Sequence, residues 1–378
     1  MDFSLSEEQQ EVRDLARKIL EDRCTHERLK QVEASAEGVD LELWRELAHA
    51  NLLGVGLPEA FGGSDLGFFA TSLLLEEIGR TVAAVPALAT LVMGALPIAR
   101  FGSEAQQRRW LPGVASGELI LSAALLEAGN EEPARPTTTF RAAGAGFVLD
   151  GVKICVPAAH LAQRVLVPAR SADGHVGAFL VDPSAAGVTL EPQQTTNHER
   201  HSQLTLASVR VGSEDLIGEL AKGAEIVRWL TERATAGLCA LQLGVSDRAL
   251  RMTATYATSR VQFERPIGSF QAVHTRAADA FIDVEAMRLT SWLAAWRLDQ
   301  ELPASDEVAV AKYWAAEGGQ FVGYAAQHLH GGIGIDVDYP LHRYYRWAKQ
   351  LELTLGSAPV QLARIGARMA REAAPPTY

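Results

Sequence analysis

The residue types best suited to binding a charged aromatic ligand lie in the second half of the chain. Arg260 and Phe263 precede the segment 266–271, which reads Pro-Ile-Gly-Ser-Phe-Gln. A guanidinium can bind a pyrophosphate through its planar fork, and a phenyl ring can pack on an aromatic ring. Their spacing lets both side chains share one face near a helix end. For these two residues alone, the favoured alternative is an arginine that caps helix carbonyls and a phenylalanine in the core.

A second candidate segment starts at His328 and contains Gly331, Gly332 and Gly334. Glycines let backbone amides approach a phosphate closely. They are also typical of a helix C-terminus, where glycine adopts a left-handed conformation without strain, and for the segment in isolation this interpretation is favoured. His328 and His330 could share a metal ion, but no third ligand stands at a supporting spacing, so we predict no metal site.

The cysteines do not indicate redox or nucleophilic chemistry. Cys24, Cys155 and Cys239 are far apart and form no C-x-x-C pair. Neither structural zinc nor a disulfide framework is expected, and a reducing cytoplasm is the predicted location. We interpret Cys155 as a buried structural thiol rather than a nucleophile.

The composition predicts a soluble intracellular protein with more than one structural unit. Of its 378 residues, 48% are hydrophobic and 21% are charged, enough apolar sequence for a large core. The net charge of −11 disfavours a nucleic-acid partner, because phosphate neutralisation needs clustered lysine and arginine. The first residues lack a basic segment before an apolar run, and no uncharged stretch is long enough for a membrane span. We therefore expect neither a secretory signal nor a membrane segment.

The elements that must position these residues change in character along the chain. Residues 1–118 show helical spacing, with capping-box patterns that begin at Ser6 and Ser103. Pro112 is expected to help end the second of these helices. Residues 119–218 are short apolar runs broken by glycine, proline and asparagine, which is typical of a small β domain.

Helical periodicity returns over residues 219–378. Long stretches without an internal proline predict an antiparallel bundle, and they cover residues 223–259, 269–298 and 305–330. The predicted fold is therefore α+β and mainly α: an N-terminal helical domain, a central small β domain and a C-terminal four-helix bundle.

The stretch from Tyr339 to Lys349, followed by Leu355-Gly356-Ser357, resembles the last part of the acyl-CoA dehydrogenase family. There a Tyr-Pro and an Arg-x-Ala-Lys lead to Glu-Gly-Thr. In that family the glutamate takes the α-proton of an acyl-CoA thioester, and the β-hydrogen leaves as hydride to the flavin of FAD. This chain has Leu355 at the glutamate position. Because leucine cannot accept a proton, the resemblance implies a family member without the usual catalytic base.

The two candidate ligand segments are similar to family signatures as well. The segment at Arg260 matches Arg-x-x-Phe-Gly…Phe-Gln, with Glu264 in place of glycine. The segment at His328 matches Gln-x-x-Gly-Gly-x-Gly, with histidine in place of glutamine. In the family both segments reach across a subunit interface to the neighbour's FAD. The resemblance thus assigns six residues to cofactor binding: Arg260, Phe263, Gln271, His328, Gly331 and Gly332.

The contacts that the chain would make to its own flavin depart from the family pattern. The Thr-Glu-Pro loop that hydrogen-bonds the flavin corresponds to Leu126-Glu127-Ala128, which lacks the hydroxyl and the proline. The Trp-Ile-Thr segment that covers the flavin corresponds to Cys155-Val156-Pro157. Each missing contact would weaken flavin binding by about 0.5–1.5 kcal/mol, and together they amount to about a hundredfold in affinity. The chain keeps the residues that would contact a neighbour's FAD and lacks the residues that would contact its own.

Glu232 is the other candidate for the base. A minority of the family carries its base in a Glu-Arg pair on the first helix of the C-terminal bundle, and this chain has Glu232-Arg233. Counted from Gly244 and Tyr256, the pair lies earlier by two residues, which turns a helical side chain by about 200°. The favoured interpretation of Glu232 is a solvated carboxylate in the early turns of a helix.

The resemblance implies a subunit of an FAD-dependent acyl-CoA dehydrogenase in a hetero-oligomer. A homologous partner subunit would supply the base, and FAD would be shared across the interface. The pattern fits α2β2 enzymes that act on steroid-CoA side chains in bacterial sterol catabolism, with an electron-transfer flavoprotein as the expected acceptor. Two alternatives remain: a self-sufficient homo-oligomer that uses Glu232, and a non-catalytic acyl-CoA-binding or scaffold protein.

Overall fold

The computed structural model describes residues 4–373, the last two by backbone alone. The α-helices are α1 Glu7–Arg23, α2 His26–Ala34, α3 Leu41–His49, α4 Gly67–Thr81, α5 Leu96–Phe101, α6 Glu104–Ala115, α7 Gly223–Ser259, α8 Gln271–Asp299, α9 Ser305–His330, α10 Leu341–Leu353 and α11 Ala358–Ala373. The strands are β1 Leu121–Ala123, β2 Thr139–Ala143, β3 Gly146–Pro157, β4 Arg164–Arg170, β5 Val176–Val181, β6 Val188–Gln194, β7 Arg200–Gly212, β8 Val261–Gln262 and β9 Arg265–Pro266. This order confirms the predicted α+β, mainly α fold. No helix in the described part of the chain is long and apolar enough to cross a membrane.

The chain divides into two compact units, and the first comprises Ser4–Leu74 and Ala84–Ala234. Its helices α1 and α6 begin with the predicted capping boxes, at Ser6 and Ser103. The prediction that Pro112 helps to end α6 is wrong, because the helix continues to Ala115. Proline removes only its own N–H, and its carbonyl still accepts from the amide of Ser116 at the helix end.

The first unit also holds a seven-stranded sheet in the order β1-β4-β2-β3-β7-β6, with β5 paired to β4. Strand β3 runs antiparallel to both β2 and β7. The sheet core contains Phe140 and Phe179, whose rings meet edge to face at 5.0 Å. Strands β2 and β6 were not predicted from the sequence, because most of their side chains are exposed or half-buried and they contain no apolar run.

The second unit comprises Leu75–Ala83 and the described residues from Thr235 onward. Helix α9 packs against α8, α10 and α11. The end of α4 approaches α7 so closely that a Cβ added at Gly244 would lie 1.9 Å from the carbonyl oxygen of Glu76. Arg288 of α8 connects the same two helices: it donates to Glu76 of α4 at 3.1 Å and to Asp247 of α7 at 3.3 Å.

Candidate functional site

The predicted ligand segments meet at one end of the second unit. Tyr256, near the end of α7, stacks on His330, the last residue of α9, with ring centroids 4.3 Å apart. Arg276 of α8 hydrogen-bonds Nδ1 of His328 at 2.9 Å, which brings the start of α8 to the same place. We call this region the exposed end. It carries Arg260, Phe263, Gln271, His328, Gly331 and Gly332.

Arg260 and Phe263 do not share a helix face, contrary to the sequence analysis. Helix α7 ends before Arg260, and the next residues form the β8–β9 hairpin, which the amide of Ile267 closes by donating to the carbonyl of Arg260 at 2.8 Å. Phe263 is 87% exposed, so it has no role in the core. Glu264 has φ +65°, a left-handed conformation that explains the glycine of the family pattern.

The two adjacent glycines differ in why they lack a side chain. Gly331 has φ +64°, a conformation that favours glycine in any chain. Gly332 has no such φ, and a Cβ added there would meet nothing within 4 Å. By contrast, a Cβ at Gly334 would lie 2.2 Å from Oε1 of Gln327. The described part of this chain therefore tolerates a side chain at Gly332, which leaves open space for a molecule from outside.

His330 serves the structure of the exposed end. Its Nδ1 bonds the carbonyl of Ala326 at 2.9 Å, and its Nε2 bonds the hydroxyl of Tyr339 at 3.1 Å. Burial lowers the pKa of His330, so the ring is neutral at pH 7. Both ring nitrogens are engaged, and the ring joins the ends of α7 and α9 through Tyr256. Sequence spacing could not reveal this role, because Tyr256 is far from His330 along the chain.

The position of the usual base holds a well-ordered but chemically inert side chain. Leu355 is 7% exposed and follows α10 with φ +56°. Its carbonyl accepts from Gln361 at 3.2 Å and from Arg364 at 3.4 Å. Lys312 donates to the last carbonyls of α10, and burial lowers its pKa to about 8. These contacts preserve the loop although no acid–base group stands in it.

Glu232 lies in α7 within the first unit, whereas Leu355 belongs to the second. Its side chain is half-buried and has an interaction partner, so it is not the freely solvated carboxylate that the sequence favoured. The guanidinium of its neighbour Arg233 stacks on the ring of Trp229 at 3.7 Å from the centroid. The assignment of Glu232 as a base stays a prediction.

The loop that corresponds to the family's flavin contact is held by hydrogen bonds within this chain. Glu127 is buried and accepts hydrogen bonds from the amides and hydroxyls of Thr137 and Thr138 at 2.6–2.9 Å. Nζ of Lys153 donates to the same carboxylate at 2.7 Å. Burial alone would raise the pKa of Glu127, but the Lys153 ammonium and these donors hold it well below its usual range.

Cys155 is half-buried rather than buried, which corrects the sequence interpretation. It has φ +50° in an irregular part of the β3–β7 ladder, and its amide donates to Oε1 of Gln193 at 2.7 Å. Gln193 stands opposite His201 on β7. Nε2 of His201 in turn lies 3.5 Å from Oε2 of Glu199. The sequence analysis missed Gln193, because strand pairing brings it to Cys155.

Comparison with known families agrees with this fold and these segments. The family model described as the acyl-CoA dehydrogenase N-terminal domain matches residues 6–118, and that of the C-terminal domain matches residues 221–370. The chain belongs to the acyl-CoA dehydrogenase family, FAD-binding oxidoreductases that act on the CH–CH bond of acyl-CoA.

Individual relatives match over nearly the whole chain. Acyl-CoA dehydrogenase FadE27 of Mycobacterium tuberculosis is 39% identical and covers 98% of this chain and 99% of its own length. Among solved structures, the ChsE4-ChsE5 complex from Mycobacterium tuberculosis aligns with a TM-score of 0.93 at 39% identity, over 99% of this chain and 100% of that one. A variant of the steroid ACAD Tcur3481-Tcur3483 aligns with a TM-score of 0.92 at 45% identity, over 98% and 100%.

Proposed function

We propose that this chain is the base-lacking subunit of a heteromeric acyl-CoA dehydrogenase and that its exposed end contacts FAD bound by a homologous partner subunit. The observation that carries the proposal is the contrast between its two cofactor half-sites. One is exposed and has room for a ligand. The other, in the first unit, is held by internal hydrogen bonds at Glu127. In the second unit, Leu355 stands at the sequence position of the usual base.

The exposed end fits a dinucleotide that arrives from outside the chain. Arg260 is exposed and can present its fork to a pyrophosphate. Phe263 offers a ring face, and the space beside Gly332 lets the backbone approach a phosphate. Ile335 and Val337 are 73% and 63% exposed beside these residues, an apolar surface that a partner subunit would cover.

The residues at the positions where the chain would contact a flavin of its own do not fit that cofactor. Leu126 has no hydroxyl to donate, and its carbonyl already accepts from the amide of Ile154 at 3.0 Å. Cys155 replaces the aromatic cover, and its amide is held by Gln193. A chain with these losses would hold its own flavin weakly, as the sequence analysis inferred.

In the proposed complex this chain binds and orients, and the partner subunit supplies the base. A bound FAD would supply the acceptor for the hydride that leaves the β-carbon of the acyl-CoA. Arg260 neutralises pyrophosphate charge, and the stack of Tyr256 on His330 keeps the two contact segments together. Because loss of a general base lowers rates by about 10²–10⁴, this chain alone would have little activity.

The substrate class that we propose is a steroid side-chain CoA thioester. The names of two similar structures support it and support a hetero-oligomer: one is a steroid ACAD with two components, and the other is a complex of two chains. We further propose a cytoplasmic location and an electron-transfer flavoprotein as acceptor.

Flavin content and native mass test the proposal directly. The chain is purified alone and after co-expression with a homologous acyl-CoA dehydrogenase subunit. We expect a flavin-free chain alone and a tetramer with one FAD per pair of chains after co-expression. One FAD bound by each chain in isolation would contradict the shared site.

Replacing Glu232 by glutamine separates the proposal from the homo-oligomer alternative. With the base on the partner, the turnover of the complex should stay within about twofold, because Gln preserves the size of the side chain. If Glu232 is the base, turnover falls by about 10²–10⁴. Glu225→Gln, on the exposed start of the same helix, is the control for a lost negative charge.

A further inference from the structure

The hydrogen bonds at the exposed end place the ring proton of two histidines on opposite nitrogens. A guanidinium has only donors, so its contact from Arg276 to Nδ1 of His328 at 2.9 Å requires that this nitrogen accept. The single proton of the ring therefore lies on Nε2 of His328. In His330 the arrangement is reversed. Its Nδ1 bonds the carbonyl of Ala326, which only accepts, so the proton lies on Nδ1 there.

Of these two rings, His328 is the one that can donate to a molecule from outside. His330 is 4% exposed, and its Nε2 accepts from the hydroxyl of Tyr339. His328 is exposed, and its Nε2 has no hydrogen-bond partner among the residues that the structure describes. The two nitrogens of an imidazole point in divergent directions, so an Nδ1 bonded to α8 leaves Nε2–H directed away from Arg276. The exposed end therefore presents one imidazole N–H donor.

The position of this proton matters for an anionic ligand. The oxygens of an ionised pyrophosphate only accept hydrogen bonds, so an N–H attracts them and a nitrogen lone pair repels them. The glutamine of the family pattern carries N–H donors on its own carboxamide. A histidine supplies a donor in the same place only when its ring is turned so that Nε2–H faces the ligand.

Arg276 is placed to hold the ring in that orientation. It is half-buried in α8, whereas His328 is at the end of α9, so their hydrogen bond joins two helices. In the described part of the chain, the guanidinium of Arg276 forms this hydrogen bond and no ion pair with a carboxylate. Its donors are therefore not drawn away from the imidazole by a competing acidic group.

We propose that Arg276 is a positioning residue for cofactor binding. It holds His328 with the proton on Nε2 and directed outward, and His328 donates this proton to a phosphate oxygen of the FAD that the partner subunit binds. This inference rests on the proposed function, because it requires a dinucleotide at the exposed end. It adds a residue of α8 that contacts the cofactor only through His328.

FAD titration into the flavin-depleted complex tests this role. Arg276→Met removes the donor but keeps a long side chain, and it should lower FAD affinity by about tenfold, as for one weakened hydrogen bond to a charged group. Arg276→Lys supplies an N–H donor again and should restore most of that loss. In a His328→Gln background, Arg276→Met should change FAD affinity by less than about twofold, because the carboxamide carries its own donor. An equal loss in both backgrounds would overturn the positioning role.

Nuclear magnetic resonance of the chain alone tests the geometry without any cofactor. The full chain is labelled with ¹⁵N in its histidines and measured at pH 8, above the ordinary titration range of imidazole. We expect a protonated Nε2 in His328 and a protonated Nδ1 in His330. Arg276→Met should shift the Nδ1 resonance of His328 and leave that of His330 unchanged. His328→Gln identifies the His328 resonances, and a proton on Nδ1 of His328 would overturn the inference.

A comparison with Arg260→Ala separates this inference from the proposed function. If Arg260→Ala lowers FAD affinity and Arg276→Met does not, the positioning role of Arg276 is wrong and the shared site stands. If neither variant changes FAD affinity, the shared site is wrong, and the role of Arg276 is wrong with it.

Discussion

Replacing Arg260 by alanine is expected to remove most of the FAD from the proposed hetero-oligomer. A hydrogen bond to a charged group contributes about 1.5–3 kcal/mol, which corresponds to a loss of about 10- to 150-fold in FAD affinity. Arg260 is exposed in the hairpin after α7 and lies outside the core of this chain, so its removal should leave the subunit folded. FAD affinity is measured by titrating the cofactor into the flavin-depleted complex, and the thermal midpoint is compared with wild type.

Arg265→Ala is the matched control for this change. Arg265 stands in the same hairpin and is also exposed, but its guanidinium lies over the ring of Phe270 at 4.2 Å from the centroid. The Arg265→Ala change removes the same charge and should leave FAD affinity within about threefold of wild type, as expected for an exposed charge.

Gly332→Ala tests the same half-site by another route. The described residues leave open space for the added methyl group, so the subunit should keep its thermal midpoint while FAD affinity falls. Gly244→Ala should instead destabilise the subunit, because its Cβ would lie 1.9 Å from the backbone carbonyl oxygen of Glu76. If Arg260→Ala and Gly332→Ala both leave the flavin content unchanged, the scaffold alternative replaces the shared site.

Replacing Lys153 by methionine is expected to destabilise the first unit by about 3–5 kcal/mol, the range for breaking one partner of a buried ion pair. The side chain of Lys153 is 0% exposed, and that of Glu127 is 2% exposed. Methionine fills a similar volume, but it leaves the Glu127 carboxylate buried without a counter-charge. The free energy of unfolding is measured from urea-induced unfolding of the full chain.

Two further variants show whether the buried charge is the cause. The double variant Glu127→Gln, Lys153→Met should be less destabilised than Lys153→Met alone, because no uncompensated charge remains. Arg164→Met removes a pair at the same sheet whose partner Asp182 is 40% exposed, and it should cost about 1 kcal/mol or less. Equal losses for Lys153→Met and Arg164→Met would contradict the interpretation.

The stability that the Glu127–Lys153 pair contributes should fall as the pH is lowered. In the folded chain the pKa of Glu127 lies below its ordinary value of 4.5. The carboxylate therefore contributes stability that is fully present above pH 4.5 and is lost as the pH falls toward the lower folded pKa. The Lys153→Met variant, whose Glu127 has lost the ammonium, should show a weaker decline of stability between pH 5 and pH 3 than wild type.

Local patterns predicted the helices well and the small strands poorly. The stretches without proline at 223–259 and 305–330 coincide with α7 and α9, because an uninterrupted run of this length exceeds that of a strand. Strand β6 is mostly exposed and contains Pro192, so it carries no apolar signal. Phe263 was compatible with the core in sequence, and only the hairpin after α7 shows that it is exposed.

Residue identity and local spacing alone establish three features: the order of the elements, the family signatures at Arg260 and His328, and the absence of a base at Leu355. The tertiary structure alone decided that the ends of α7 and α9 meet through Tyr256 and His330, and that Gly332 faces open space. It also brings Gln193 opposite His201 and to the amide of Cys155. The physical reason is that these contacts join residues far apart along the chain, through packing and strand register that no local pattern encodes.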